Sequence, residues 1–165
     1  MKTLILIGGT MGVGKTTTCR ELQKLLPDNV FLDGDWCWDM KPFVVDSETK
    51  EMVMDNICHL LNNFLRCSKY QNIVFCWVMH QQAIWDDLLS RLDTRACRVK
   101  RFSLIADQAA LEKRLIGDIE KGVRTRDILQ RSVERIVCYA TLQTEKIDVS
   151  NITPQEAAEE ICRRL

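Results

Sequence analysis

Thr3-Leu4-Ile5-Leu6-Ile7 runs directly into Gly8-Gly9-Thr10-Met11-Gly12-Val13-Gly14-Lys15-Thr16. A continuous apolar run of this length, closed by glycine, predicts a strand buried on both faces. Gly9, Gly14, Lys15 and Thr16 satisfy the pattern G-x-x-x-x-G-K-[ST], and a helix is expected over Lys15–Leu26, stopped by Pro27. Strand, glycine-rich turn and helix in that order make a phosphate cradle. The glycines let backbone N–H groups converge on anionic oxygens, and the helix aims the positive end of its dipole at the same point. Lys15 is placed to meet the β- and γ-phosphates of a nucleotide, and the Thr16 hydroxyl to ligate Mg²⁺. Thr10, Gly12, Val13 and Thr17 complete the expected nucleotide-binding set.

Outward from this loop, strands alternate with helices. Asn29–Asp33 reads as a second strand, 34–47 as irregular chain, and Glu48 to about Lys69 as a long helix. Its apolar positions are Met52, Ile57, Leu60, Leu61, Phe64 and Leu65. Ile73–Met79 is the next strand, Gln81–Leu92 a helix, and Cys97–Ile105 another strand. Asp107 can cap a helix reaching about Gly122, and Thr125 or Asp127 starts one reaching about Leu142. Lys146–Val149 is a last short strand. Thr153-Pro154-Gln155-Glu156 then supplies a capping box with proline at the first helical position. The pattern predicts one domain over 1–165, a three-layer α/β/α fold with a five-stranded parallel sheet and a helical lid.

Composition narrows the function classes. The chain has 165 residues, 46% hydrophobic and 28% charged, with 7 Gly and 3 Pro, which excludes fibrous and low-complexity proteins. Basic and acidic residues balance at 23 each, unlike a protein that coats nucleic acid. The balance conceals opposite local charges. Residues 28–55 carry Asp28, Asp33, Asp35, Asp39, Asp46, Glu48, Glu51 and Asp55 against Lys41 and Lys50; residues 95–135 carry eleven basic and six acidic groups. The 8 cysteines form no Cys-x-x-Cys pair and several lie in apolar runs, as expected of reduced thiols in a cytoplasmic protein. His59 and His80 have no cysteine at zinc-ligand spacing. The run Leu4–Ile7 is too short for a signal-peptide core or a membrane span. Neither a membrane nor a nucleic-acid partner is expected.

Two absences and one presence refine the phosphate-loop reading. The strand toward His80 ends Val78-Met79-His80 without a carboxylate, and the base-reading motif Asn-Lys-x-Asp is missing; Glu145-Lys146-Ile147-Asp148 is its nearest relative. Leu32-Asp33-Gly34-Asp35-Trp36, by contrast, puts two carboxylates at the C-terminal end of a strand, where open α/β sheets bind ligands. In these features the sequence resembles the small P-loop kinases, the group containing shikimate kinase, gluconate kinase and chloramphenicol phosphotransferase. The resemblance implies ATP as donor, Asp33 helping to hold Mg²⁺, and Asp35 meeting the acceptor hydroxyl as base or orienting group. It also implies that Arg114 packs on the adenine, that Arg124 and Arg126 are lid arginines with a catalytic role, and that Arg135 reaches back to the phosphates. Met79-His80-Gln81-Gln82 stands where shikimate kinase has a glycine-rich strand end, which argues against shikimate itself. Lys146 to Glu156 is similar to AAA-type ATP-binding kinases of the group, whose loop after the last strand lies against the adenine.

Charge patterning suits the same chemistry. Lys113, Arg114, Lys121, Arg124, Arg126, Arg131 and Arg135 form a basic stretch, with a lid over about 113–127 and Gly117 and Gly122 as hinges. Arg131 and Arg135 share a helix face. The acceptor side, about 34–69, lacks arginine: none occurs between Glu21 and Leu65, while Trp36, Trp38 and Phe43 lie among the acids. The expected acceptor is therefore a neutral or cationic small molecule whose hydroxyl is phosphorylated and whose ring stacks on tryptophan. The alternatives are a nucleoside monophosphate kinase and an ATP-binding switch with slow hydrolysis. A polynucleotide 5′-kinase is disfavoured by the acidic substrate side.

Overall fold

Leu4, Ile5, Leu6 and Ile7 are fully buried in the computed structural model, which describes residues 1–165. They belong to β1 (Lys2–Gly8), followed by α1 (Lys15–Leu25), β2 (Asn29–Asp33), α2 (Ser47–Arg66), β3 (Asn72–Trp77), α3 (Gln82–Ser90), β4 (Cys97–Ile105), α4 (Gln108–Glu120), α5 (Asp127–Arg135), β5 (Glu145–Asp148) and α6 (Pro154–Arg163). The five strands form one parallel sheet in the order β2-β3-β1-β4-β5, so the strand feeding the glycine loop is the central one. Ile5 and Ile7 point into a core shared with α1, α4 and α6, while Leu4 and Leu6 point into one shared with α2 and α3. Alternation along β1 thus builds both faces of the sandwich. The fold is the expected three-layer α/β/α sandwich around a five-stranded parallel sheet.

Register carries the functional rim. Gly8 pairs with Trp77 on one side and Ser103 on the other, and Asp33 pairs with Cys76. The glycine loop, the Asp33 carboxylate and the Trp77 indole therefore leave the sheet at the same end, where parallel sheets place their ligands. Helix α2 is started by a capping box in which Asp46 accepts from the Thr49 N–H and the Thr49 hydroxyl receives the Asp46 N–H. Thr153 and Glu156 do the same for α6; such caps contribute about 1 kcal/mol each.

The structure corrects several sequence expectations. The helix expected to reach Leu142 leaves α geometry at Arg135: the Ile136 N–H turns to the Val133 carbonyl, and Ile136–Thr141 continues as a 3₁₀ turn. That tightening accompanies burial of Tyr139, whose hydroxyl donates to the Val78 carbonyl at 2.5 Å, so tertiary packing overrides the helical pattern. Residues 34–47 are not wholly irregular, since Gly34–Trp38 forms a 3₁₀ turn. Met52 is 45% exposed; Val53, Met54, Ile57, Cys58 and Leu61 are the residues α2 buries. The helix also stops short of Lys69, where the Lys2 ammonium caps the Phe64 and Cys67 carbonyls. Strand β3 ends at Trp77, and Met79 beyond it takes φ 40°. Gly117 lies inside α4 and is no hinge, whereas Gly122 terminates that helix. All eight cysteines are free, with Cys19, Cys58 and Cys76 buried. No helix is long and apolar enough to cross a membrane.

Candidate active site

The loop between β1 and α1 closes around Lys15, which is buried and donates from Nζ to the Thr10 carbonyl at 3.0 Å. Burial pulls the Lys15 ammonium below the ordinary lysine range, opposed by the neighbouring Cys76, Asp35 and Asp33. Gly12 adopts φ 81°, and a Cβ there would lie 2.4 Å from the Leu115 side chain of α4. Only glycine permits both the left-handed backbone and that approach.

Below the loop, the Thr16 hydroxyl donates to Asp33 Oδ2 at 2.6 Å, and Asp33 Oδ1 accepts the Asp35 N–H at 3.0 Å. One buried carboxylate thus ties α1 to the 3₁₀ turn and aims Asp35 back at the cleft. A Cβ on Gly34 would stand 2.6 Å from the Trp77 ring, so glycine lets the indole lie against the backbone between the two acids. Asp35 keeps solvent on one side, yet crowding by the cleft walls, then the Asp33 charge, raises its pKa above the usual aspartate value. Lys15, Arg124 and the Trp77 indole pull it back.

These groups open onto a cavity of about 290 Å³ lined by Met11–Thr18, Asp35, Arg114, Asp118, Arg124, Val149, Ile152, Thr153, Pro154 and Ala157. Arg114 crosses from α4, donating to the Val13 carbonyl at 3.2 Å and to the Val149 carbonyl. It joins the glycine loop to the segment after β5, whose Ile152 and Pro154 form an apolar wall beside it. One turn along α4 from Arg114, Asp118 Oδ2 accepts from Arg124 Nε at 3.0 Å. Anion-binding amides, an ammonium and a guanidinium, together with an apolar wall, match a nucleoside polyphosphate.

Among the expected site residues, the structure assembles Gly12, Val13, Gly14, Lys15, Thr16, Thr17, Asp35, Arg114 and Arg124 around one cavity, with Asp33 directly beneath. Gly9 sits at the root of the loop, its N–H on the Val78 carbonyl, and the Thr10 side chain turns away toward Ser132. Arg126 is exposed at the start of α5 and lines no part of the cavity. Arg135 stands beside His80, where burial and then the guanidinium charge lower the imidazole pKa. Trp36 is 49% exposed but already engaged, packed edge-on against Phe31 and covered by the Arg20 guanidinium. Several of the acids flanking it are structural: Asp46 caps α2, and Glu51 and Asp55 face Arg91. Two residues not anticipated from sequence join the site. Asp118 holds Arg124 six positions away, and Trp77 lies against Gly34 beside Asp35.

No side-chain cluster of three or more His, Cys, Asp or Glu residues could hold a metal by itself. The Thr16 hydroxyl and Asp33 carboxylate are hard oxygen donors, a set that suits Mg²⁺ completed by water and phosphate oxygens.

Comparison with solved structures places this fold among known ones. A tunicamycin resistance protein from Deinococcus radiodurans superposes with TM-score 0.77 at 23% identity, covering 99% of this chain and 95% of its own. A gluconokinase from Sinorhizobium meliloti 1021 gives 0.70 at 16% identity, with 96% and 88% covered. Shikimate kinase from Acinetobacter baumannii, in complex with shikimate, gives 0.65 at 19%, with 99% and 92% covered. No curated protein matches the sequence. One family model does, that of the AAA domain, and it spans residues 5–137, from inside the first strand to just past α5; the chain belongs to that family.

Proposed function

We propose that the protein is a kinase that transfers the γ-phosphoryl group of ATP to a hydroxyl of a neutral or cationic small molecule. The observation that carries this reading is the placement of Asp35. Its carboxylate shares the cavity with Lys15 and Arg124, whose charges both act on it. An acid there, with its pKa raised above the usual aspartate value by desolvation and by the Asp33 charge, suits a base or orienting acceptor for an attacking hydroxyl. The cations acting on Asp35 are Lys15 and Arg124, and the chain has no arginine between Glu21 and Leu65 on the acceptor side, which favours an acceptor that is not anionic. Trp77, not Trp36, is the indole next to that carboxylate.

In this mechanism the glycine-loop amides and Lys15 bind the triphosphate, and Arg114 with the segment after β5 holds the base. Thr16 and Asp33 would hold Mg²⁺, which when bound neutralises charge on the β- and γ-phosphates. Asp35 takes or orients the acceptor hydroxyl proton, and Arg124 meets the charge that develops on the transferred group. The direct test is ATP consumption across a panel of nucleosides, sugars and hydroxylated antibiotics, with nucleoside monophosphates alongside. Stimulation by a neutral or cationic hydroxyl compound is expected. Saturation by monophosphates alone would sink the acceptor assignment, and slow hydrolysis that no acceptor stimulates would favour the switch.

Between the two lid arginines, Arg124 is assigned the catalytic role. Arg124→Ala should lower turnover about a hundredfold, whereas Arg126→Ala stays within about threefold of the parent. Steady-state kinetics on the two variants decides it; the reverse order would transfer the role to Arg126.

A further inference from the structure

The glycine loop is tied on its far side to the helix that follows the lid. Thr10 Oγ1 donates to the Ser132 carbonyl at 2.8 Å, and the Ser132 hydroxyl donates to the Met11 carbonyl at 2.5 Å. The two hydroxyl oxygens lie 3.0 Å apart. Each hydroxyl has one proton, and each proton goes to a carbonyl across the interface, so the pair is reciprocally satisfied. Both residues are buried, Thr10 at 3% and Ser132 at 0% exposure, so water offers no replacement for either bond.

The interruption of α5 makes the bond available. In a continuing α-helix the Ser132 carbonyl would accept from the Ile136 N–H. Here the Ile136 N–H goes to Val133 instead, and the Ser132 carbonyl takes the Thr10 hydroxyl. A second contact roots the other stem of the lid on the same loop, because Leu115 of α4 fills the space over Gly12 that a Cβ would occupy. Both helices that carry residues 121–126 therefore abut the glycine loop. Thr10 is also the residue whose carbonyl holds Lys15 Nζ.

We propose that Thr10 and Ser132 are positioning residues that carry nucleotide occupancy of the glycine loop to the lid, by fixing α5 and hence Arg124 relative to the phosphates. The inference rests on the reading that the loop holds ATP. When Lys15 turns from the Thr10 carbonyl to a phosphate, Thr10 is released on its main-chain side while its side chain still grips α5. The loop's adjustment is then passed to the helix rather than absorbed by a slack interface.

Limited trypsinolysis at Lys121, Arg124 and Arg126 tests this without an acceptor, with the non-hydrolysable analogue AMP-PNP as probe. In the parent chain, saturating AMP-PNP should slow lid cleavage about tenfold. In Ser132→Ala, whose side chain does not line the cavity, calorimetric AMP-PNP affinity should stay within about fivefold of the parent while the protection ratio collapses toward one, and in Thr10→Val the ratio measured at saturating AMP-PNP should collapse likewise. Thr10→Ser, which keeps the hydroxyl, should restore protection. Should Ser132→Ala not fold, the near-isosteric Thr10→Val carries the test, with a thermal melt showing that it is intact. Full protection in both variants, or no protection of the parent by bound AMP-PNP, would overturn the proposal. A parent chain that is protected by AMP-PNP yet transfers phosphate to no hydroxyl compound would overturn the kinase reading and leave the coupling standing.

Discussion

Replacing Lys15 by alanine should reduce ATP-dependent turnover about a thousandfold or more and weaken ATP binding, while the chain stays folded. The ammonium is buried among polar groups, and its one protein hydrogen bond is to the Thr10 carbonyl. It contributes little to folding, because burying it disfavours the charged form. Its value lies in pairing with a triphosphate. Lys15→Ala also takes away a charge that lowers the Asp35 pKa, so the remaining activity should shift to higher pH. Lys15→Arg should not rescue, since a planar guanidinium needs more room than an ammonium held in a closed loop. The measurement is ATP affinity by calorimetry beside single-turnover rates, with thermal melts as the folding control. A variant retaining turnover within tenfold of the parent would remove Lys15 from the mechanism.

Asp35→Asn should separate binding from transfer. ATP affinity is expected to hold, because Asp35 makes no contact that shapes the loop, while transfer to the acceptor falls about a thousandfold. The pH profile offers an independent check. Asp35 must be ionised to accept a proton, and its raised pKa moves the acidic limb of the parent's profile above the range of an ordinary aspartate. That limb should vanish in the asparagine variant. Stability should move the other way. Because the folded-state pKa is raised, the stability tied to this group is complete below its unfolded pKa and is lost as pH climbs through the folded value. At neutral pH the charged carboxylate is thus a burden, and Asp35→Asn should melt higher than the parent even as it loses activity. A variant that melts lower and transfers phosphate normally would place Asp35 in the scaffold.

The glycine-loop part of the candidate site was legible in sequence because its residues are contiguous. Gly9 to Thr16 places amides, ammonium and hydroxyl within a single turn, and a buried strand before it fixes the geometry. Asp33 and Asp35 were legible for the same reason, being two residues apart at a strand end. What stayed hidden depends on contacts between distant elements. Asp118 and Arg124 meet across the end of α4 at a spacing with no helical meaning, and Ser132 reaches Thr10 only because α5 tightens at Ile136. Trp77 read as one more apolar residue of a buried strand, and only the register with Gly8, together with the bare backbone of Gly34, brings it to the rim. The acidic excess of residues 28–55 misled in part, since charge counting cannot separate a helix cap or an ion pair with Arg91 from a carboxylate facing a ligand.

The strand order has a consequence for how the two halves of the site can change. The glycine loop hangs from β1, hydrogen-bonded on both edges and buried on both faces, whereas Asp35 and the 3₁₀ turn that carries it hang from β2 at the margin of the sheet. Opening the margin exposes one ladder of hydrogen bonds; opening the centre dismantles the domain. The glycine loop is therefore tied to global unfolding, and the Asp35 segment to a local, low-energy fluctuation. Insertions and substitutions after β2 can reshape that rim of the cavity without threatening the core behind the loop, so divergence is cheapest where this sheet ends.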